Sequence, residues 1–389
     1  MGRSINQPAL IKKKKILVCI DWFLPGFRAG GPVSSCAGLV EHLSADFDFY
    51  IVCRDTDYTM HEPYAGIEAN RWMNKGDGVS VIYISKDHLR FSTFRKLLNE
   101  VRPHRVYLNS MFSFWFTLVP LWLCKKGALQ VLLATRGMLA PGALSVKAWK
   151  KRLFLRLAKS FGLFDTVVFQ ASSPIEELQI RSVFPNASVK IAPNLPRKTI
   201  EQDSAAKSSP ASGLRLINIA RIAPEKNLLG ALQILHSVTC PVTFDFYGPV
   251  YNEAYWSECR QVIASLPEHV NVNYKGVIEP TTISEILAQY HFLFMPTLGE
   301  NFGHIIYESL QAGTPVIISN QTPWKQLVTK QAGWDLELNQ ASQFVDIIEL
   351  CAKMDAETYK RLQNGSKATA AEFMAESDAL ELNRALLKG

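Results

Sequence analysis

Short apolar runs alternate with stretches of helical period along nearly the whole chain. In the first half the runs at 15–21, 49–53, 79–84, 106–108, 131–134, 166–170 and 189–192 read as buried strands, with helical segments at 33–43, 92–101 and 172–182 between them. The second half repeats the rhythm, with strands expected near 214–221, 243–247, 270–275, 292–295 and 316–319 and helices at 228–236 and 283–290. Such alternation predicts an α/β protein with parallel sheets covered by helices. A chain of 389 residues exceeds what one core usually holds, so two domains are expected. The stretch 196–213, rich in Ser, Ala, Lys and Pro and without apolar period, reads as the linker. That divides the chain into 1–195, a linker, 214–367 and a terminal helix within 368–389.

The richest stretch is 292–319, FLFMPTLGENFGHIIYESLQAGTPVIIS. It reads as strand, tight polar turn, a helix of about three turns and a second strand. Gly299 and Gly303 let backbone N–H groups approach a ligand, and the helix starting near Gly303 aims its positive end at the same spot, which makes a seat for an anion. Glu300 and Glu308 flank that seat, a costly arrangement unless each carboxylate has a donor to accept from. Ribose and pyranose hydroxyls of a sugar nucleotide are such donors, with the diphosphate on the N–H groups between them. An ordinary strand–helix turn with surface acids is the alternative. Earlier, Arg221 and Lys226 straddle another strand-to-helix turn and can both reach one diphosphate, each charge-assisted bond contributing about 1.5 to 3 kcal/mol. The Gly248-Pro249 loop is placed to border the same ligand, and His304 reads either as a ligand contact or as a first-turn helix residue.

Glu300 and Glu308 with Asn301-Phe302-Gly303 between them, followed by Ala-Gly-Thr-Pro-Val after the helix, resemble the donor-binding signature of the family 4 retaining glycosyltransferases. The resemblance implies a GT-B fold, two Rossmann-like domains facing a central cleft, with the C-terminal helix crossing back to the first domain. It implies catalytic roles for Glu300, Arg221 and Lys226 and donor contacts at Glu308, Asn301, Phe302, Gly303, Gly248 and Val277. In the first domain it implies that the Gly30-Gly31 loop faces the cleft, and it likens Thr135-Arg136-Gly137-Met138 to a Pro-Arg-Gly-Met-Leu segment of polysaccharide-building relatives. Arg136 would there meet a phosphate or an acceptor carboxylate, a surface arginine being the alternative. Two departures stand out: Asn109 occupies an acceptor-side position where many relatives carry histidine, and PNLPRK replaces Pro-Asn-Gly-Val-Asp at 193–198. The implied chemistry needs no metal or cofactor; the partners are a nucleotide-diphosphate sugar and a saccharide or lipid-linked saccharide acceptor in surface polysaccharide synthesis.

Composition narrows the field. Hydrophobic content of 48% with 20% charged residues describes a globular protein with large cores. Seven scattered cysteines without a CxxC pair suit a reducing cytoplasm and argue against zinc. No leader peptide is read at the start, and the apolar run 111–124 is too short to span a bilayer, reading instead as a buried helix. The net charge of +7 raises nucleic acid and anionic membranes as partners. The segment 145–161 sharpens the second: with Ser145 as cap, Val146, Trp149, Leu153, Phe154, Leu157 and Phe161 share one face, and Lys147, Lys150, Lys151, Arg152, Arg156 and Lys159 surround it. That pattern fits a helix lying on the inner face of the cytoplasmic membrane, or a core helix with a solvated side. Two rival functions remain: a sugar-nucleotide isomerase (epimerase) of the same fold, needing acids or bases in the first domain, and a basic nucleic-acid-binding protein, for which no motif is present.

Overall fold

The computed structural model describes residues 13–125, 129–145, 148–198, 209–376 and 378–389. Of the expected linker 196–213, residues 199–208 lie outside the described residues, as do the expected helix positions Val146 and Lys147. The first sheet comprises β1 (Lys14–Cys19), β2 (Phe47–Arg54), β3 (Trp72–Asn74), β4 (Val79–Ile84), β5 (Arg105–Leu108), β6 (Gln130–Ala134), β7 (Val167–Ala171) and β8 (Ser188–Ile191). Their order is β3-β4-β2-β1-β5-β6-β7-β8, every pairing parallel except β3 with β4. The edge strand β3 was not expected; at three residues it is too short to carry a period. The second sheet comprises β9 (Leu214–Ile219), β10 (Val242–Tyr247), β11 (Val270–Tyr274), β12 (Phe292–Met295), β13 (Val316–Ser319) and β14 (Gly333–Leu336), ordered β11-β10-β9-β12-β13-β14 and wholly parallel. Central strands such as β12 and β13 are buried along their whole length, as sheets covered on both faces require.

Helices α1 (Gly31–Leu43), α2 (Phe91–Val101), α3 (Val119–Cys124), α4 (Pro141–Ser145), α5 (Ala148–Ser160) and α6 (Pro174–Val183) clothe the first sheet. Helices α7 (Leu228–Leu235), α8 (Glu253–Ala264), α9 (Ile283–Leu287), α10 (His304–Gln311), α11 (Ala341–Ala352) and α12 (Ala356–Glu376) clothe the second. The single terminal helix expected near 368–387 is two: α12 packs along α10, and α13 (Ala379–Lys388) buries Ala379, Leu386 and Leu387 in the core of the first domain. The apolar run 111–124 also divides, into a π-helical turn at Phe114–Leu118 and α3, because Pro120 lacks the N–H that a continuous helix would need. It is only partly buried, with Phe114 and Trp122 exposed.

The larger correction concerns α5. Its buried residues are Leu155 and Ala158, with Phe154 tucked edge-on against Phe112 and Phe164. Trp149 and, just past the helix, Phe161 are 68% and 75% exposed, and Leu153 and Leu157 also face outward. Apart from Phe154, the described part of the apolar stripe points away from the core, which excludes the core-helix reading for it; Leu155, Ala158 and Phe154 seat the helix. Among the described residues no helix is long and apolar enough to cross a membrane.

Helix α1 sets the first wall of the cleft, and its fit depends on Gly38. A methyl group there would lie 2.3 Å from the carbonyl oxygen of Leu195 and 2.6 Å from that of Pro196, both backbone atoms that cannot swing aside. Gly38→Ala should therefore lower stability by about 1–3 kcal/mol despite the gain in helix propensity; an unchanged or raised unfolding midpoint in urea would show that the helix has room to move.

Candidate active site

In open α/β sheets ligands bind outside the carboxyl ends of the strands where strand order reverses. In the second sheet that point lies between β9 and β12, and the loops leaving those strands carry Arg221 to Lys226 and Gly299 to Gly303. In the first sheet it lies between β1 and β5, whose loops carry Gly30-Gly31 and Asn109. Both sets of loops open on one cleft of about 2180 Å³ between the domains.

On the second wall Lys226 Nζ donates to Glu300 Oε1 at 2.5 Å. The pair is mostly sheltered, and Glu300 is anchored further by its N–H to the Gln321 carbonyl at 3.0 Å. Arg221 reaches Glu225 at 3.3 Å and lies over the Tyr251 ring, keeping its guanidinium in the cleft. Gly303 is left-handed at φ 75 and precedes α10, so the first free N–H groups of that helix open on the same space. The helix is shorter than expected, eight residues rather than three turns, because Gly313 turns left-handed just beyond it. Glu308, one turn inside α10, has no hydrogen-bond partner among the described residues; burial pushes its carboxyl up to about 7, with Arg197 pulling the other way. Gly248 sits at φ 143 with its Cα so near Ala220 that a methyl group would meet that carbonyl, and Val277 is exposed on the cleft.

Phe302 lines the cleft but turns its ring into an aromatic cluster with Tyr307, Trp324 and Phe373 and is 6% exposed, so its backbone is what it offers to a ligand. One expected contact needs correction. Asn109 is 1% exposed and stands behind the cleft wall: its amide nitrogen donates to Pro32 O at 3.0 Å and its oxygen accepts from Arg136 Nε at 2.6 Å. Buried and with both ends of its amide engaged, it positions Arg136 instead of meeting an acceptor. Gly30, Gly31, Arg136 and Asn301 do line the cleft.

The two walls touch. Ser35 Oγ on α1 lies 2.6 Å from His304 Nε2 on α10, and Tyr251 OH donates to the Arg28 carbonyl at 2.6 Å. Burial and the Arg136 charge lower the His304 pKa to about 3, which keeps this imidazole neutral throughout the physiological range. Ser35 and Tyr251 carried no signal in the sequence: their partners are distant in the chain and no local period marks them. Among the described residues no group of three or more His, Cys, Asp or Glu could hold a metal ion.

Residues 199–369 match the family model described as glycosyl transferases group 1. No curated protein matches the chain. Among solved structures it is similar to sucrose-phosphate synthase from Thermosynechococcus elongatus, 15% identical over 97% of this chain and 99% of that one, with a TM-score of 0.68. HepE from Anabaena, in complex with UDP and glucose, is 14% identical over 96% and 98% with a TM-score of 0.68. WaaG, a glycosyltransferase involved in lipopolysaccharide biosynthesis, is 12% identical over 96% and 98% with a TM-score of 0.63. The fold is GT-B. In that frame the β9–β12 wall is the one covered by the family match, and the first wall lies outside it.

Glu308 yields a test. Hydroxyl donors on a ligand favour its carboxylate form, so binding should release a proton: affinity for a nucleoside diphosphate should be full above pH 7 and fall as pH drops through about 7. Glu308→Gln should bind roughly 10-fold more weakly at pH 8 and lose the pH dependence; titration calorimetry at pH 6, 7 and 8 checks both, and an unaltered profile in the variant would remove Glu308 from the site.

Proposed function

We propose that this chain is a retaining, metal-independent glycosyltransferase that moves a sugar from a nucleotide-diphosphate sugar to a saccharide or lipid-linked saccharide acceptor in surface polysaccharide synthesis. The observation that carries it is the meeting of Arg221, the Lys226–Glu300 pair and the start of α10 at the carboxyl ends of β9 and β12, with the partnerless Glu308 beside them. A diphosphate there accepts from Arg221, Lys226 and the helix N–H groups, which stabilise the charge gained as the glycosidic bond breaks. Glu300, held by Lys226, orients the sugar hydroxyls, and Glu308 accepts from the ribose. The acceptor hydroxyl enters on the face the diphosphate leaves, and its proton passes to a phosphate oxygen.

The isomerase reading requires an acid or base opposite the sugar. The first-domain residues lining the cleft include five cations, Arg28, Arg136, Lys151, Arg197 and Lys198, and no Asp, Glu or His among the described residues. That wall suits transfer to an acceptor better than proton abstraction. A polyanion such as nucleic acid would meet Glu300 and Glu308 in the same cleft, which disfavours it. Screening nucleotide sugars for thermal stabilisation and hydrolysis tests the transferase reading: at least one should raise the melting point and be cleaved in the presence of a chelator, with the released or transferred sugar first appearing in the donor's anomeric form. Inverted product, or chelator-sensitive turnover, would overturn the finer assignment, and failure of every nucleotide sugar to bind would overturn the whole.

The membrane contact belongs to the same proposal. Trp149, Leu153, Leu157 and Phe161 face outward from α5 and its end beside the exposed cations Lys150, Arg152, Arg156 and Lys159. From Glu100 to Asp165 the chain has no acidic residue between those two. An apolar stripe framed by cations fits an anionic bilayer at the cytoplasmic face, where aromatic and aliphatic groups enter the headgroup boundary and each cation near the surface adds about 1 kcal/mol. The triple charge reversal Lys150→Glu, Arg152→Glu, Arg156→Glu should abolish co-sedimentation with phosphatidylglycerol-containing liposomes while nucleotide binding stays intact; undiminished sedimentation would remove the membrane from the reading.

A further inference from the structure

Arg136 follows β6 in the left-handed region at φ 51, a conformation that costs a non-glycine residue free energy and persists only when its surroundings enforce it. The enforcement comes from Glu176. One of its oxygens accepts from Thr135 Oγ1 and from the Gly137 N–H, each at 2.6 Å, and the other accepts from the N–H and Oγ of Ser172 at 2.7 and 2.6 Å. Four neutral donors fix that carboxylate in place, and the guanidinium of Arg136 bonds to other groups.

The guanidinium is held by neutral acceptors instead. Nε donates to Asn109 Oδ1 at 2.6 Å, Nη1 to Asn194 Oδ1, and Nη2 to the Tyr107 hydroxyl oxygen at 2.8 Å. Tyr107 in turn donates to Gln170 Oε1 at 2.5 Å, and Gln170 Nε2 donates to Asn383 Oδ1 on α13 at 3.2 Å. This relay fixes the plane of the guanidinium from the back and leaves two of its five N–H groups for the cleft it lines. In front of it stands the donor-side loop: a methyl group on Gly137 would lie 2.4 Å from Asn301 Nδ2, and Arg136 is close enough to His304 to depress its protonation. Neither Asn301 nor the neutral His304 can balance the charge. A recessed cation whose direct partners are all neutral, on a wall with four further cations, of which Arg197 is paired with Glu41, and no cleft-lining acid among the described residues, favours direct contact with an incoming anion.

We infer that Arg136 is a specificity residue for an anionic acceptor, one that presents a carboxylate or phosphate group bidentately to the guanidinium beside the transferring sugar. The inference rests on the transferase reading, in which Arg221 and Lys226 on the opposite wall already serve the donor diphosphate. A neutral sugar in the same place would leave the two cleft-facing N–H groups without a charged acceptor, and a site built around a charged partner discriminates strongly against an analogue lacking it. Arg28 of the Gly30-Gly31 loop, whose buried Nε has no hydrogen-bond partner among the described residues, adds to the same field.

The experiment uses the full chain saturated with whichever of UDP, GDP or ADP binds most tightly. Methyl glucoside, methyl glucuronide and glucose 6-phosphate are then titrated by ligand-observed NMR, which separates carboxylate from phosphate. The expected result is a preference of roughly 10- to 100-fold for at least one anionic probe over methyl glucoside. That preference should collapse in Arg136→Gln, return in large part in Arg136→Lys, and leave nucleotide affinity within about twofold. Asn109→Asp, which supplies a carboxylate at the position of the Nε partner, should abolish it while keeping the arginine and its anchors. Equal binding of all three probes, or a preference that survives both Arg136→Gln and Asn109→Asp, overturns the inference. Loss of nucleotide affinity in Arg136→Gln assigns the anion to the donor and overturns it while sparing the transferase reading; failure of the wild-type chain to bind any nucleotide sinks both.

Discussion

The parallel pairing of β9 with β12 is the constraint from which the candidate site follows. Phe292 and Leu293 register against Leu216 and Ile217, so two loops far apart in sequence leave neighbouring strand ends on the same side of the sheet. One brings Arg221 and Lys226, the other Glu300 and the start of α10, and the Lys226–Glu300 ion pair is the product. A parallel sheet can place them so because every crossover helix returns the chain to the opposite edge, leaving all carboxyl ends together. The strand order reverses there, and the gap between divergent crossovers becomes the mouth of the cleft.

The opposite wall is built by the same geometry with other chemistry. Its β6 end carries Arg136 and Gly137, its first loop carries Arg28, Gly30 and Gly31, and among the described residues no carboxylate of that wall lines the cleft. One wall therefore combines acids with bases, and the other presents cations alone. This division of charge matches a reaction in which one partner brings a diphosphate and many hydroxyls to a wall able to hold both, while the other partner approaches from the cationic side. The contacts Ser35–His304, Gly137–Asn301 and Tyr251–Arg28 hold the walls close enough for a transferring sugar to touch both. Helix α13 adds a brace, since Asn383 bonds both Gln170 and the Pro193 carbonyl from the far end of the chain.

Where the reading of the chain went astray, the physics is local sufficiency overridden by tertiary context. The period of α5 is truly amphipathic, yet Leu155 and Ala158 seat the helix and the broader apolar stripe is left outward. Asn109 stands at a strand end, where ligands gather, but the loop of α1 folds over it and consumes its amide.

Sequence alone determined the alternation of strands and helices, the two-domain division and the turn of glycines and acids at 299–303, because each depends on interactions within a few residues: periodic burial, left-handed glycine backbone, free N–H groups at a helix start. What it could not determine was which side chains face one another across the cleft. The Ser35–His304 bond closes over a separation of 269 residues, and the neutral cradle of Arg136 draws on β5, the loop after it and the segment beyond β8. Only the register of two sheets and the crossing of α13 bring those groups together, since long-range side-chain pairing is set by packing and leaves no period in the chain.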